Sequence, residues 1–156
     1  PDGFSYAEGI RQLGYFLGEI VSPIAAKYGI TVVIEPLRAQ ECNMINTVNE
    51  GVILSVLAGK NNIQTLADIY HMKFAGDTPD NIRMLKGSIM HAHISNPMPA
   101  GIAKRFYMKP SDECDYKAFV DALEYAGCPR CSIEAGTSDF ASDAEEAAKV
   151  IKALRI

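Results

Sequence analysis

The chain has 156 residues, 15 Lys+Arg against 19 Asp+Glu for a formal net charge of −4, with 48% hydrophobic and 22% charged residues. This is the composition of a globular domain with a sizeable core, and the length predicts a single domain over 1–156. Mild acidity without a basic patch argues against gripping phosphate backbones, and no apolar run reaches the ~18 residues of a membrane span. Nothing at the N-terminus reads as a signal peptide, so a cytoplasmic protein is expected.

Helix and strand signals alternate along the chain. Ser5 with Glu8 makes a capping box, and Ile10, Leu13, Leu17, Ile20, Val21 and Ile24 follow at helical spacing. Pro23 is expected to interrupt this helix and Gly29 to terminate it. Residues 30–34 are a β-branched run, which predicts a strand buried on both faces. Thr47 with Glu50 opens a second helix that ends near Gly59, and residues 63–67 read as the next strand. Thr78-Pro79 starts a short helix, and residues 88–94 form a third strand. A long loop from Ser95 to about Asp115 predicts a functional segment. A helix from about Tyr116 stops at Gly127, residues 131–135 make a fourth strand, and Ser142 with Glu145 is expected to cap the last helix. Strands joined through helices need right-handed crossovers and so a parallel sheet. The fold class is α/β, a parallel four-stranded βα repeat.

In such folds ligands bind at the carboxyl ends of the strands. Those ends carry Glu35, Asp68, His93 and Glu134, one from each strand. Three carboxylates and an imidazole on one rim repel and perturb one another unless a cation sits among them. Three oxygen donors and one nitrogen suit one divalent ion, Mn²⁺, Mg²⁺ or Co²⁺, with Zn²⁺ also open. The four cysteines, Cys42, Cys114, Cys128 and Cys131, form no disulfide framework. Cys128 and Cys131 lack the second ligand pair of a zinc site and the strand-then-helix setting of a redox dithiol, and are read as loop cysteines. No glycine pattern builds a phosphate cradle, and the turn Ala135–Ser138 is read as the entry to the last helix.

Ile34-Glu35-Pro36-Leu37 with Glu41, Asp68-Ile-Tyr-His71, His91-Ala-His93 and Ile133-Glu134 together resemble the xylose-isomerase-like TIM barrels, and within them the sugar isomerase/epimerase group that includes the ketose 3-epimerases. The resemblance covers nearly the whole chain and corresponds to strands 5 to 8, the C-terminal half of an eight-stranded barrel of about 250 residues. It implies that Glu35, Asp68, His93 and Glu134 hold a catalytic divalent metal and that Glu35 and Glu134 also exchange protons with a sugar. It places Glu41 and His71 on the substrate. The family's arginine six residues after the metal-binding histidine is replaced here by Pro99, with Lys104 or Arg105 as substitutes, and Arg105 is taken as the substrate-binding one. DNA-repair relatives in the same superfamily build a trinuclear zinc site, but no histidine follows His93, so that site cannot form from these residues. His91 is expected to pack in the barrel interior. The substrate implied is an unphosphorylated sugar or polyol, with no nucleic acid and no membrane. Four strands alone would leave two edges and one apolar face open, so a homo-oligomer or association with a missing N-terminal half is expected.

Overall fold

The computed structural model describes residues 3–97 and 104–154. Pro99 lies outside them. Four strands, β1 (Val32–Ile34), β2 (Ile63–Asp68), β3 (Ile89–Ile94) and β6 (Cys131–Ile133), form one all-parallel sheet in the order β1-β2-β3-β6. Helices α3 (Val48–Ala58), α4 (Ile69–Ala75), α5 (Pro79–Met84) and α6 (Tyr116–Ala126) connect them, α1 (Tyr6–Tyr15) and α2 (Ser22–Ala26) precede β1, and α7 (Phe140–Leu154) closes the chain. A second, two-stranded antiparallel ribbon, β4 (Asn96–Pro97) with β5 (Arg105–Phe106), stands in the long loop after β3.

Local chemistry sets most boundaries. Thr47 and Glu50 form the reciprocal capping box of α3, and Gly59 ends that helix in the left-handed region at φ 66°. Gly76 and Gly127 end α4 and α6 in the same way. Between α1 and α2 the chain winds as a π-helix, Phe16–Val21, immediately before Pro23. Proline cannot donate to the carbonyl of Glu19 and its ring crowds that carbonyl, so the widened turn absorbs the mismatch. The interruption expected from Pro23 is therefore present, in the turn that precedes the proline.

Two expectations need correction. Helix α7 begins at Phe140, and its first turn is capped by Asp139, whose Oδ1 accepts from the Ser142 backbone N–H at 3.2 Å. Ser142 lies inside the helix; two cap-type residues occur within one turn, and the one nearer the strand is used. The strand predicted over 30–34 is only Val32–Ile34 and is half-buried, because β1 is the edge of the sheet and packs on one face. Helix α4, starting directly after β2, has no counterpart among the sequence expectations.

The core lies between the sheet and the helices, where Ala67, Ile89, Ala92 and Ile94 meet Phe119 and Val120 of α6, with Met108 from the long loop fully buried among them. Thr65 faces α3, where its Cγ2 would lie 2.7 Å from a β-carbon placed on Gly51. By alternation Gln64, Leu66 and Asp68 face the opposite side. The register slips between Thr65 and Leu66, which pair with Ile89 and His91, leaving Met90 as an extra residue in β3. The slip lets Ile89, Ala92 and Ile94 serve the core while His91 and His93 face the open side. That open face is more polar than expected: Gln64, His91 and Ser132 lie on it, and His91 Nε2 sits 2.8 Å from Ser132 Oγ. Most of the large exposed apolar side chains among the described residues are instead on the helices, including Phe16, Ile20, Ile24 and Val56.

Candidate metal centre

The four strand ends converge. Glu35, Asp68, His93 and Glu134 each bring one ligand-type atom within 4.8 Å of the others. His93 Nδ1 lies 3.0 Å from Glu35 Oε1, 3.4 Å from Asp68 Oδ2 and 2.6 Å from Glu134 Oε2. The parallel register explains this, since Asp68 is paired with His93 and Ile94 with Ile133, so residues ending adjacent strands arrive at one level.

Asp68 divides its two oxygens. Oδ1 accepts from the backbone N–H groups of Tyr70 at 2.7 Å and His71 at 3.3 Å, capping α4. Oδ2 is left facing the cluster, where Arg105 Nη1 approaches to 2.9 Å. One aspartate thus ends a strand, starts a helix and fixes a carboxylate oxygen in the site. Burial works to raise the Asp68 pKa, but hydrogen bonding to His93 and the charge of Arg105 outweigh it and hold the group below its usual range. Glu134 is shifted the other way, upward, by burial first and then by hydrogen bonding to Asp68 and the charge of Glu35. His93 is pushed up to about 10 by hydrogen bonds to Asp68 and Glu35. Three carboxylates in one space hold on to any available positive charge.

The sequence-named flanking residues are also here. His71 is buried, with Nδ1 accepting from the Arg38 N–H at 3.1 Å and Nε2 at 2.8 Å from Arg105 Nη2. Burial lowers its pKa, so it is neutral at ordinary pH. Glu41 stands at the margin, 3.9 Å from His71 Nδ1 and paired with Arg38 at 2.7 Å. Arg105 reaches the centre because β5 is tied down on both sides: it pairs with β4, and the Arg105 carbonyl accepts from the Gly136 N–H at 3.1 Å. Its guanidinium also touches Glu134. Two residues escaped the sequence reading. Arg38 anchors His71 through its backbone and lies 5.3 Å over the Tyr70 ring, while Arg105 lies 4.8 Å from the same ring. The Arg38–Glu41 spacing of three was the available sign for the first; nothing local marks Tyr70.

The donor set fits a divalent cation. Its donor atoms are spread over little more than the ~4–4.6 Å diameter of a coordination sphere with ~2.0–2.3 Å bonds. Carboxylates and imidazole together serve Mn²⁺, Mg²⁺, Co²⁺ and Zn²⁺. No cysteine joins the cluster. Cys42, Cys114, Cys128 and Cys131 are all free, and burial raises the thiol of Cys131 to about 12 and that of Cys114 to about 11.

The family model of the xylose isomerase-like TIM barrels matches residues 1–155. The chain belongs to this family. As a xylose isomerase-like barrel segment it is 32% identical over 89 residues to D-psicose 3-epimerase of Agrobacterium fabrum, a match covering 56% of the chain and 29% of that protein. Among solved structures, L-ribulose 3-epimerase superposes with a TM-score of 0.79 at 23% identity, over 93% of this chain and 53% of that one. The IOLI protein, whose structure contains a zinc atom, superposes with a TM-score of 0.80 at 19% identity, over 98% and 58%. These likenesses establish a partial TIM barrel. The chain spans little more than half the length of the two solved structures.

Proposed function

We propose that this xylose isomerase-like chain supplies the catalytic half of a divalent-metal-dependent sugar isomerase or epimerase. The observation that carries the reading is the convergence of Glu35, Asp68, His93 and Glu134 from four adjacent strand ends. These four residues would hold the ion, and a bound divalent ion supplies Lewis-acid polarisation of a sugar carbonyl, acidifying the adjacent carbon.

The protein's own groups do the rest. One of Glu35 and Glu134 removes the proton from that carbon to give an enediolate, and the other returns a proton to it or to its neighbour. Both carboxylates reach His93 Nδ1, so both acid–base groups stand at the rim where a metal-bound sugar would lie. His71, neutral and held by the Arg38 N–H, would orient a terminal sugar oxygen with Glu41. Arg105 would hold a further oxygen, in the place the family gives to an arginine at the position of Pro99. The relative from Agrobacterium fabrum is named a D-psicose 3-epimerase, which favours a ketose as the first candidate. Mn²⁺, Mg²⁺ and Co²⁺ are the first ions to test.

Assembly is part of the proposal. Edges β1 and β6 are both unpaired among the described residues, and a second copy or a complementary half-barrel would cover them. The chain's span of little more than half its structural neighbours favours a second reading as well, a metal- or sugar-binding half-barrel that reacts only in a larger assembly.

Incubation with candidate ketoses and Mn²⁺ in D₂O separates the two. Catalysis puts deuterium on the carbon next to the carbonyl, and Glu134→Gln abolishes the exchange. Sugar binding without exchange supports the second reading, and full exchange by Glu134→Gln contradicts the assignment of that residue.

A further inference from the structure

Arg105 shares the metal's own ligands. Its Nη1 is 2.9 Å from Asp68 Oδ2 and also contacts Glu134 Oε2, the two oxygens turned into the cluster. The remaining contact, Nη2 with His71 Nε2 at 2.8 Å, does not hold it there. The Arg38 N–H points at His71 Nδ1, an arginine has donors only, and a neutral imidazole has one lone pair. With Nδ1 accepting from Arg38, the ring proton of His71 sits on Nε2 and meets the guanidinium donor to donor. What seats the guanidinium is the pair of carboxylates on one side and the buried Tyr70 ring, 4.8 Å from Cζ, on the other. Arg38 packs on the same ring at 5.3 Å, which leaves Tyr70 little freedom to turn.

We propose that Arg105, seated by Tyr70, is a built-in counter-charge that competes with the divalent ion for Asp68 and Glu134 and so sets the strength of metal binding. The inference rests on the metal reading above. Two effects have the same sign: the ion must take two oxygens from the guanidinium, and a positive charge a few Å away opposes a second cation. Tyr70 acts as a positioning residue, through the face of its ring and not through its hydroxyl.

The test is calorimetric titration of Mn²⁺, without sugar, into wild type, Arg105→Gln, Tyr70→Leu and Tyr70→Phe, with folding checked by circular dichroism. Arg105→Gln is expected to bind Mn²⁺ roughly tenfold more tightly or better. Tyr70→Leu is expected to shift the same way by a smaller factor, and Tyr70→Phe to stay within about twofold of wild type because the ring face is kept. Should Arg105→Gln not fold, Arg105→Lys substitutes for it, since an ammonium cannot bridge both carboxylates and some tightening is still expected. Unchanged or weaker binding in the arginine variant overturns the counter-charge, and wild-type behaviour of Tyr70→Leu overturns the role of the ring. A folded wild type that binds no ion at all overturns the metal reading itself, and this inference with it.

Discussion

Glu134 ends β6 beside His93 and Arg105, and its replacement by glutamine keeps the shape while removing a charge and a proton acceptor. Deuterium exchange into a ketose is expected to fall by at least the ~10²–10⁴ that one acid–base group contributes; retention of the wild-type rate would exclude it. A second residue-scale prediction concerns Cys131. Its thiol is pushed up to about 12, mainly by burial, so the reactive thiolate is scarce at pH 8. Iodoacetamide is expected to modify Cys131 slowly in the folded protein and rapidly in urea, read by peptide mass spectrometry; equal rates would show that the side chain is not buried. At this scale the cluster was largely legible, because Glu35, Asp68, His93 and Glu134 sit at or just past the ends of the four strands, whereas His71, inside α4, was marked only by the family resemblance. Arg105 entered as one of two loop cations, and what places it, the Gly136–Arg105 hydrogen bond, joins segments far apart in the sequence with no local signal. Tyr70 carries no local sign, because its importance lies in its contacts with Arg38 and Arg105, and for Arg38 the only sign is its spacing of three from Glu41.

Elements pack through glycines as much as through apolar residues. Gly18, in the π-helical turn, lies where a β-carbon would stand 2.4 Å from the Ala58 carbonyl oxygen at the end of α3. Backbone cannot yield there as a side-chain tip can, so Gly18→Ala is expected to lower stability by about 1–3 kcal/mol or to separate α1 from α3. Urea unfolding measures this, and an unaltered midpoint would mean that the close approach is absent. Thr47→Ala removes one half of the α3 capping box and is expected to cost about 1 kcal/mol in the same assay. Caps and terminators were the most readable elements because their chemistry is local. Helix α4 was missed for the same reason in reverse: its cap, Asp68, is also the last residue of β2, and only seven residues separate that cap from the glycine that ends it. The early start of α7 reflects a choice between Asp139 and Ser142 that tertiary packing makes.

At the scale of the whole molecule the sheet resembles an arc cut from a barrel. It has two open edges among the described residues, and its open face is polar near Gln64, His91 and Ser132. The strand order was legible, since consecutive parallel strands joined by short helices have few right-handed arrangements; the shortness of β1 was not, because a β-branched run reads alike at an edge and at a centre. Everything proposed for this chain depends on whether the arc already assembles its rim. Calorimetric titration of Mn²⁺ into the chelator-treated protein, alongside Glu134→Gln, asks that directly. One ion per chain is expected, bound at least roughly 10- to 100-fold more weakly by the variant, since even an outer-shell partner of a ligand is worth that much; a folded protein that binds no ion, or binds it equally well without the Glu134 carboxylate, would contradict the metal centre.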